Sequence, residues 1–183
     1  MKTTFKIKGM AWLQNHISPD DEIIDFGCGL MPATRKLKCK KLIGIDAWKP
    51  YISQLDAEIS EKNHIDLCCF ELNKKNLSVI NSKSTDICLA IDVVEHFGKV
   101  DAFNLILEME RIARKRVIIF TPIGLKAQED GEKGSWAEGN PKYQKHRCGF
   151  LPEELAQRGY ETYIRSNGDV PSFLAVKDIN GDQ

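Results

Sequence analysis

The stretch DDEIIDFGCGLMPATRKL, residues 20–37, decides the fold. A short apolar run ends in an acid at Asp25 and is followed by Gly27, Cys28 and Gly29, then by a segment with helical character. A strand that leads from an acid into Gly-x-Gly brings bare backbone close to a ligand at the carboxyl edge of a sheet. The stretch therefore predicts a cofactor site at such an edge.

Two kinds of cofactor suit this turn. A dinucleotide needs a third glycine and a free helix N-terminus for its pyrophosphate, but Pro32 stands at that position. Asp25 places a negative charge beside the glycines, which suits a cationic ligand better than a pyrophosphate. S-adenosylmethionine carries an ammonium, a sulfonium and no phosphate, so the turn favours it. A nicotinamide-dependent oxidoreductase is the alternative.

Composition narrows the possible classes. A length of 183 residues predicts one domain with a sizeable core. The 26 basic and 26 acidic residues cancel, so charge gives no argument for nucleic-acid or membrane-surface binding. The six cysteines form no CxxC pair, and we expect reduced, mostly buried thiols in a cytoplasmic protein. No apolar run approaches the roughly 18 residues that a membrane span needs.

Short apolar runs alternate with helical patterns along the chain. Strands are predicted at 22–26, 41–46, 64–70, 86–92, 116–121, 160–166 and 172–178. Helices are predicted at 32–38, 50–60, 101–114 and 151–159, with residues 1–19 as an N-terminal helical extension. This alternation predicts an α/β, doubly wound, Rossmann-like sheet of seven strands, mostly parallel with one antiparallel C-terminal strand.

Two further features bear on the site. The second predicted strand ends at Asp46, where a carboxylate can accept hydrogen bonds from both ribose hydroxyls of an adenosyl group, or can be an ordinary turn acid. Residues 124–149 contain Gly, Pro and charge without periodicity, which is typical of a substrate-binding or lid loop. Trp136 and Tyr143 in this loop either close over a substrate or anchor the loop.

The ordered set of motifs resembles the class I S-adenosylmethionine-dependent methyltransferases. IIDFGCG, LIGID, TDICLAIDVVEHF and RVIIFTPIG follow one another at the spacing of that superfamily, and HRCGFLPEELAQRGYETY resembles the segment before its last strand pair. The resemblance covers residues 20–177 and implies one methyltransferase domain over residues 1–183. The chain departs from the family at Met31, where a third glycine is common. A non-catalytic interaction module with this fold is a further alternative, against which the intact acids and glycines argue.

The resemblance implies which residues bind the cofactor. Asp25, Gly27 and Gly29 would line its methionine part, Asp46 would hold the ribose, and Asp92 would lie beside them. A polar residue after the third predicted strand would meet the adenine; Glu71 is favoured, with Asp66 and Asn73 as alternatives.

The fourth predicted strand ends in DVVEHF, which contains Asp92, Glu95 and His96. If the chain turns helical there, these positions share one face, and two carboxylates and an imidazole can bind a divalent cation that His146 would complete. The pattern resembles the ubiquinone-pathway O-methyltransferases and the small-RNA 2′-O-methyltransferases, which hold Mg²⁺ or a similar ion. The alternative gives Glu95 and His96 structural or substrate-contact roles. His146 and His96 are also the candidates for a catalytic base.

These features together lead us to expect methyl transfer from S-adenosylmethionine to a small-molecule or sugar-linked acceptor. The expected nucleophile is a hydroxyl, and the expected reaction is in-line displacement. Because the sulfonium is already a strong electrophile, the enzyme's main task is placement of the two reactants. The neutral charge argues against nucleic acid as a partner, and we expect no membrane partner.

Overall fold

The computed structural model describes residues 3–5, 11–59, 64–126, 141–165 and 170–179. The strands are β1 (Thr3–Phe5), β2 (Glu22–Phe26), β3 (Lys41–Asp46), β4 (Ile65–Cys69), β5 (Thr85–Ile91), β6 (Ala113–Pro122), β7 (Glu161–Arg165) and β8 (Ser172–Asp178). They form one sheet in the order β1-β7-β8-β6-β5-β2-β3-β4. β8 runs antiparallel to both of its neighbours, and every other pairing is parallel.

The predicted fold class is confirmed, with one added strand. β2 to β8 are the seven predicted strands, and β2, β3 and β8 have the predicted bounds. β1 lies in the segment predicted as a helical extension, where the only described helix is the one-turn α1 (Ala11–Gln14). That part of the prediction was wrong because TTF is rich in β-branched and aromatic residues, and the free edge of β7 offers it a parallel partner.

The remaining helices are α2 (Lys49–Ile59), α3 (Lys74–Leu77), α4 (Lys99–Ile112), α5 (Pro141–Gln144) and α6 (Pro152–Ala156), with a 3₁₀ turn at Val94–His96. The helix predicted at 32–38 is absent from this described segment, which forms consecutive turns instead. There the hydroxyl of Thr34 donates a hydrogen bond to the carboxylate of Asp25. This contact between side chains ties the segment to the end of β2.

Both faces of the sheet are covered. Successive residues of β2 point to opposite sides, so Ile23 belongs to one core cluster and Ile24 to the other. The Ile24 cluster includes the buried face of α4, and the Ile23 cluster includes residues of α1 and α2. Leu107, on α4, lies outside this buried face and is 50% exposed. Burial on both faces leaves the two ends of the strands as the places where polar groups can gather.

Composition also predicted reduced, mostly buried cysteines and no apolar run long enough for a membrane span. All six cysteines are free, and Cys28, Cys88 and Cys148 are buried. The described parts of the chain contain no helix that is long and apolar enough to cross a membrane.

Candidate active site

The turn after β2 is built from left-handed backbone. Gly27 has φ 67° and Gly29 has φ 51°, a conformation that glycine adopts without strain. A Cβ on Gly27 would lie 2.7 Å from Cγ2 of Val93, whereas a Cβ on Gly29 would meet nothing within 4 Å. Packing therefore requires glycine at position 27, while Gly29 borders open space at the carboxyl edge of the sheet.

Asp25 lies beneath this turn and is almost fully buried. Its Oδ2 accepts a hydrogen bond of 2.5 Å from Oγ1 of Thr34. Burial raises the pKa of Asp25 to about 7, against the lowering effect of the Thr34 hydrogen bond, and the nearby Asp46 adds to the rise. Asp25 therefore lies beside the glycines as predicted, but burial disfavours the charged form of its carboxyl group.

Asp46 joins the ends of β2 and β3. One carboxylate oxygen accepts a hydrogen bond of 2.9 Å from the backbone N–H of Gly29, and the other accepts one of 2.7 Å from the N–H of Trp48. The residue is 9% exposed, and burial raises its pKa in spite of these hydrogen bonds. A carboxylate has about four lone-pair sites, so the group can still accept from a ligand.

Two adjoining cavities open at this edge of the sheet. The smaller has a volume of about 320 Å³ and the larger about 750 Å³. Asp46 lines the smaller cavity and Asp25 the larger. The two share the wall residues Gly27, Gly29, Asp92, His96 and Gln144. A ligand in the smaller cavity would thus meet a second ligand in the larger one beside the glycine turn.

The far end of the smaller cavity contains the segment after β4. Glu71, Leu72 and Asn73 line it, whereas Asp66 lies on β4, ion-paired to Lys41 at 2.8 Å. Asp66 is therefore not placed to meet a ligand there. The Asn73 side chain caps α3 by accepting from the N–H of Asn76.

Glu71 is also engaged within the protein. Its Oε1 accepts hydrogen bonds from Nζ of Lys142 at 2.9 Å and from the hydroxyl of Tyr143 at 2.7 Å. The Lys142 hydrogen bond, followed by the one from Tyr143, lowers the pKa of Glu71. These contacts connect α5 to the segment after β4, across the smaller cavity. Sequence reasoning missed the apolar wall formed by Leu72, Val93 and Phe97.

The segment after β5 differs from the helix assumed from its spacing. Asp92 has left-handed backbone with φ 52°, and the 3₁₀ turn starts only at Val94. Asp92 therefore lies before the helical turn and does not share one helical face with Glu95 and His96, although all three residues line the larger cavity. Glu95, His96 and His146 do come together, with one potential ligand atom from each within 4.8 Å of the others. Asp92 does not belong to this group.

The segment after the long loop brings His146 to this place. Backbone N–H groups of Arg147 and Cys148 donate to the carbonyl of Glu95, and the Arg147 guanidinium donates to the carbonyl of His96 at 2.7 Å. Nδ1 of His146 lies 2.8 Å from the carbonyl oxygen of Lys126. Of the predicted lid 124–149, residues 127–140, including Trp136, lie outside the described residues.

Glu95 is the acid of the group formed with His96 and His146, and it is deeply buried, at 2% exposure. Its Oε2 accepts a hydrogen bond of 2.9 Å from the hydroxyl of Thr121, while Oε1 has no partner among the described residues. Burial, then the charge of Asp92, raises the pKa of Glu95 to about 8. This carboxyl group is therefore mostly protonated at neutral pH.

The two histidines are neutral at pH 7. Burial, followed by the neighbouring His146, lowers the pKa of His96 to about 4, and burial also lowers the pKa of His146. Their rings meet edge to face with centroids 4.9 Å apart. One carboxylate and two imidazoles are a donor set that suits a transition-metal ion better than Mg²⁺, which prefers oxygen ligands.

The sheet order, the left-handed glycine turn and the acid that ends β3 define a doubly wound α/β enzyme that binds a nucleoside-containing cofactor. The chain belongs to the methyltransferase domain family, which matches residues 24–121. It is therefore an S-adenosylmethionine-dependent methyltransferase, as the resemblance of its motifs predicted. This membership decides against the nicotinamide-dependent alternative. No curated protein sequence matches the chain in a direct comparison.

Solved structures with the same fold are distant in sequence. Magnesium protoporphyrin IX methyltransferase of Synechocystis PCC 6803, with S-adenosylhomocysteine bound, has 16% identity and a TM-score of 0.64 over 93% of this chain and 80% of its own. The N-terminal domain of EvdMO1, with S-adenosylhomocysteine and D-fucose, has 10% identity and a TM-score of 0.68 over 93% and 81%. The YcgJ protein of Bacillus subtilis has 12% identity and a TM-score of 0.66 over 94% and 98%.

Proposed function

We propose that this enzyme methylates a hydroxyl of a small-molecule acceptor, which can be sugar-linked, by in-line displacement at the sulfonium of S-adenosylmethionine. The observation that carries the proposal is the pair of cavities that meet at Gly27 and Gly29. Such an arrangement can hold donor and acceptor side by side with water excluded. The neutral net charge supports a small acceptor over nucleic acid, and the free cysteines support a reducing, cytoplasmic location.

The smaller cavity fits the adenosyl part of the cofactor. The free lone pairs of Asp46 can accept from the two ribose hydroxyls. Leu72 and Phe97 offer apolar surface for the adenine. The open space beside Gly29 leaves room for the methionine part, with Asp25 and Asp92 nearby on the wall of the larger cavity. When bound, S-adenosylmethionine supplies an electrophilic methyl group and so removes the need for a strong enzyme nucleophile.

His146 is the proposed general base. A carbonyl oxygen can only accept, so the contact with Lys126 fixes a proton on Nδ1 of the neutral ring and leaves the lone pair on Nε2. The acceptor hydroxyl would give its proton to Nε2 as its oxygen forms the new bond to the methyl carbon. The carbon–sulfur bond breaks in the same step, which leaves a methyl ether, S-adenosylhomocysteine and protonated His146. His96, beside His146, would orient this ring.

A cation-assisted reaction is the second candidate. Oε1 of Glu95 and Nδ1 of His96 are buried and have no hydrogen-bond partner among the described residues. This favours the ion, because buried polar atoms without partners suggest an unseen ligand. Glu95, His96 and His146 would hold the ion, which would acidify the acceptor hydroxyl. The test is metal content by elemental analysis after dialysis against Co²⁺, together with the visible absorption of bound Co²⁺. One equivalent in wild type and none in His96→Gln supports the ion, and full activity in EDTA with no bound metal excludes it.

The cofactor assignment is tested by isothermal titration with S-adenosylhomocysteine and with NADH. We expect binding of the first and none of the second. Transfer of a radiolabelled methyl group to a member of a hydroxyl-compound panel would then separate an enzyme from a non-catalytic module. Binding of S-adenosylhomocysteine without transfer to any of these compounds would contradict the proposed acceptor class. His146→Gln should lower the rate of transfer while leaving the affinity for S-adenosylhomocysteine unchanged.

A further inference from the structure

Two cationic side chains line the larger cavity and have no part in the reaction above. Arg165 ends β7, and Lys126 follows β6. We propose that Arg165, assisted by Lys126, binds an anionic group of the methyl acceptor, a carboxylate or a phosphate. The acceptor class is then a hydroxyl compound that also carries an acid. This inference rests on the proposed function, because it specifies the substrate of the same site.

The position of Arg165 supports this role. Its Nε is buried and has no hydrogen-bond partner among the described residues. A buried donor that lacks an acceptor is costly, and a guanidinium is well suited to pair with two oxygens of one carboxylate or phosphate. An acidic group on a bound ligand would therefore supply the hydrogen-bond acceptor that Nε of Arg165 lacks among the described residues.

The surroundings hold the guanidinium in place. Its central carbon lies 5.9 Å from the centroid of the Phe120 ring, a contact that orients a planar cation on an aromatic face. Arg165 pairs with Ser172 at the start of β8, and the hydroxyl of Ser172 is already used as a donor to the carbonyl of Val170. Arg165 is thus fixed by the sheet at the carboxyl edge, beside the space that an acceptor would occupy.

Arg165 has an acid nearby but forms no ion pair with it among the described residues. Burial raises the pKa of Asp92 to about 6, and the charge of Arg165 lowers it. In the part of the chain that the structure describes, no ion pair joins Arg165 to an acid. The guanidinium therefore keeps N–H donors for an acidic group on a ligand.

Lys126 connects this anion site to the proposed base. Its carbonyl oxygen accepts from Nδ1 of His146, and its exposed side chain lies at the wall of the same cavity. An acceptor whose acid is held by Arg165 and Lys126 would therefore reach His146 within one cavity. The two cations would set which molecules bind, and His146 would act on the hydroxyl.

The experiment uses the complex of the full chain with S-adenosylhomocysteine. Ligand-observed NMR measures the affinities of matched fragment pairs: hydroxy carboxylic acids against their amides, and hydroxyalkyl phosphates against the corresponding diols. We expect the acids to bind about tenfold or more tightly than their neutral partners, as charge-assisted hydrogen bonds allow. The carboxylate and phosphate arms show which acid the site prefers.

Arg165→Gln should remove this preference, and Lys126→Gln, at an exposed position, should reduce it several-fold without affecting folding. Arg158→Gln is the matched control, because Arg158 is exposed and lies against Phe103 away from both cavities. A wild type without preference for acids, or a preference that survives in Arg165→Gln, overturns the proposal. The affinity for S-adenosylhomocysteine is measured separately in each variant, so failure of the cofactor assignment is seen independently of the anion site.

Discussion

The replacement of Asp46 separates its role in binding from its role in folding. Both of its oxygens accept backbone N–H groups, from Gly29 and from Trp48, and we propose that both also accept from the ribose. Hydrogen bonds to a charged group contribute about 1.5–3 kcal/mol each. Because such contributions are not additive, we expect Asp46→Ala to lose about 2–4 kcal/mol of binding free energy, which corresponds to at least about a 30-fold weaker affinity.

Asp46→Asn, the usual conservative substitution, should not preserve the stability of the protein. An asparagine has one oxygen and one NH₂ group, so in Asp46→Asn one of the two backbone N–H donors would face another donor. An unsatisfied buried group of this kind costs about 1–3 kcal/mol. We therefore expect Asp46→Asn to lower the free energy of unfolding about as much as Asp46→Ala does, although its shape is nearly that of aspartate.

Urea unfolding followed by circular dichroism measures the change in stability, and titration of S-adenosylhomocysteine into the folded protein measures the loss of affinity. Asp66→Asn is the matched control, because this acid is exposed and its ion pair with Lys41 should contribute about 0–1 kcal/mol. The reasoning about the ribose fails if folded Asp46→Ala binds S-adenosylhomocysteine within about threefold of wild type. The reasoning about the turn fails if Asp46→Asn unfolds at the wild-type urea midpoint.

Three further outcomes are expected. Gly27→Ala should lower the free energy of unfolding by about 2–4 kcal/mol in urea, since its backbone has φ 67° and its Cβ would lie 2.7 Å from Val93; a midpoint equal to wild type would contradict this. At Asp86, burial raises the pKa, but hydrogen bonds led by the one from Arg114 lower it from 3.8 to about 2. Because the pKa is lowered in the folded state, the ionised Asp86 stabilises the fold above about pH 4, and this stabilisation disappears as the pH falls to about 2. Asp86→Asn should therefore lower the free energy of unfolding by about 1–2 kcal/mol at pH 6 and leave it unchanged at pH 2. Thermal unfolding at each pH measures the difference. Glu71→Gln should change stability by less than about 1 kcal/mol. It should weaken S-adenosylhomocysteine binding, measured by calorimetry, because the contacts of Glu71 with α5 cross the smaller cavity. Unchanged affinity would show that these contacts do not contribute to cofactor binding.

The sequence predicted the sheet because its strands are covered on both faces and therefore appear as continuous apolar runs. β2 and β3 have the predicted bounds, and the acids near their ends, Asp25 and Asp46, line the adjoining cavities at the same edge of the sheet. The predicted helix at 32–38 failed for a reason that composition does not reveal. The Thr34 hydroxyl binds the Asp25 carboxylate, a contact between side chains that no periodicity encodes.

The residues of the candidate active site were predicted less completely than the sheet. Helical spacing suggested that Asp92 shares a helical face with Glu95, but Asp92 has left-handed backbone and lies before the 3₁₀ turn, which starts at Val94. His146 was predicted as a further member of the group, although no local spacing joins it to His96. Arg165 was missed because an arginine at the end of a strand usually lies in solvent, and only the packing of β7 against β8 places its Nε in a buried position.

The departure from the family pattern at Met31 has a physical explanation in the structure. Met31 has left-handed backbone with φ 50°, which costs a residue with a Cβ about 1–2 kcal/mol relative to its preferred conformation. Its side chain is fully buried, and its Cε would lie only 3.2 Å from a Cβ on Gly44. Burial of a methionine side chain contributes about 1.5–3 kcal/mol, enough to offset the backbone cost. Glycine at position 44 thus makes room for a methionine where the family often has glycine, and the same turn is kept by packing instead of by backbone freedom.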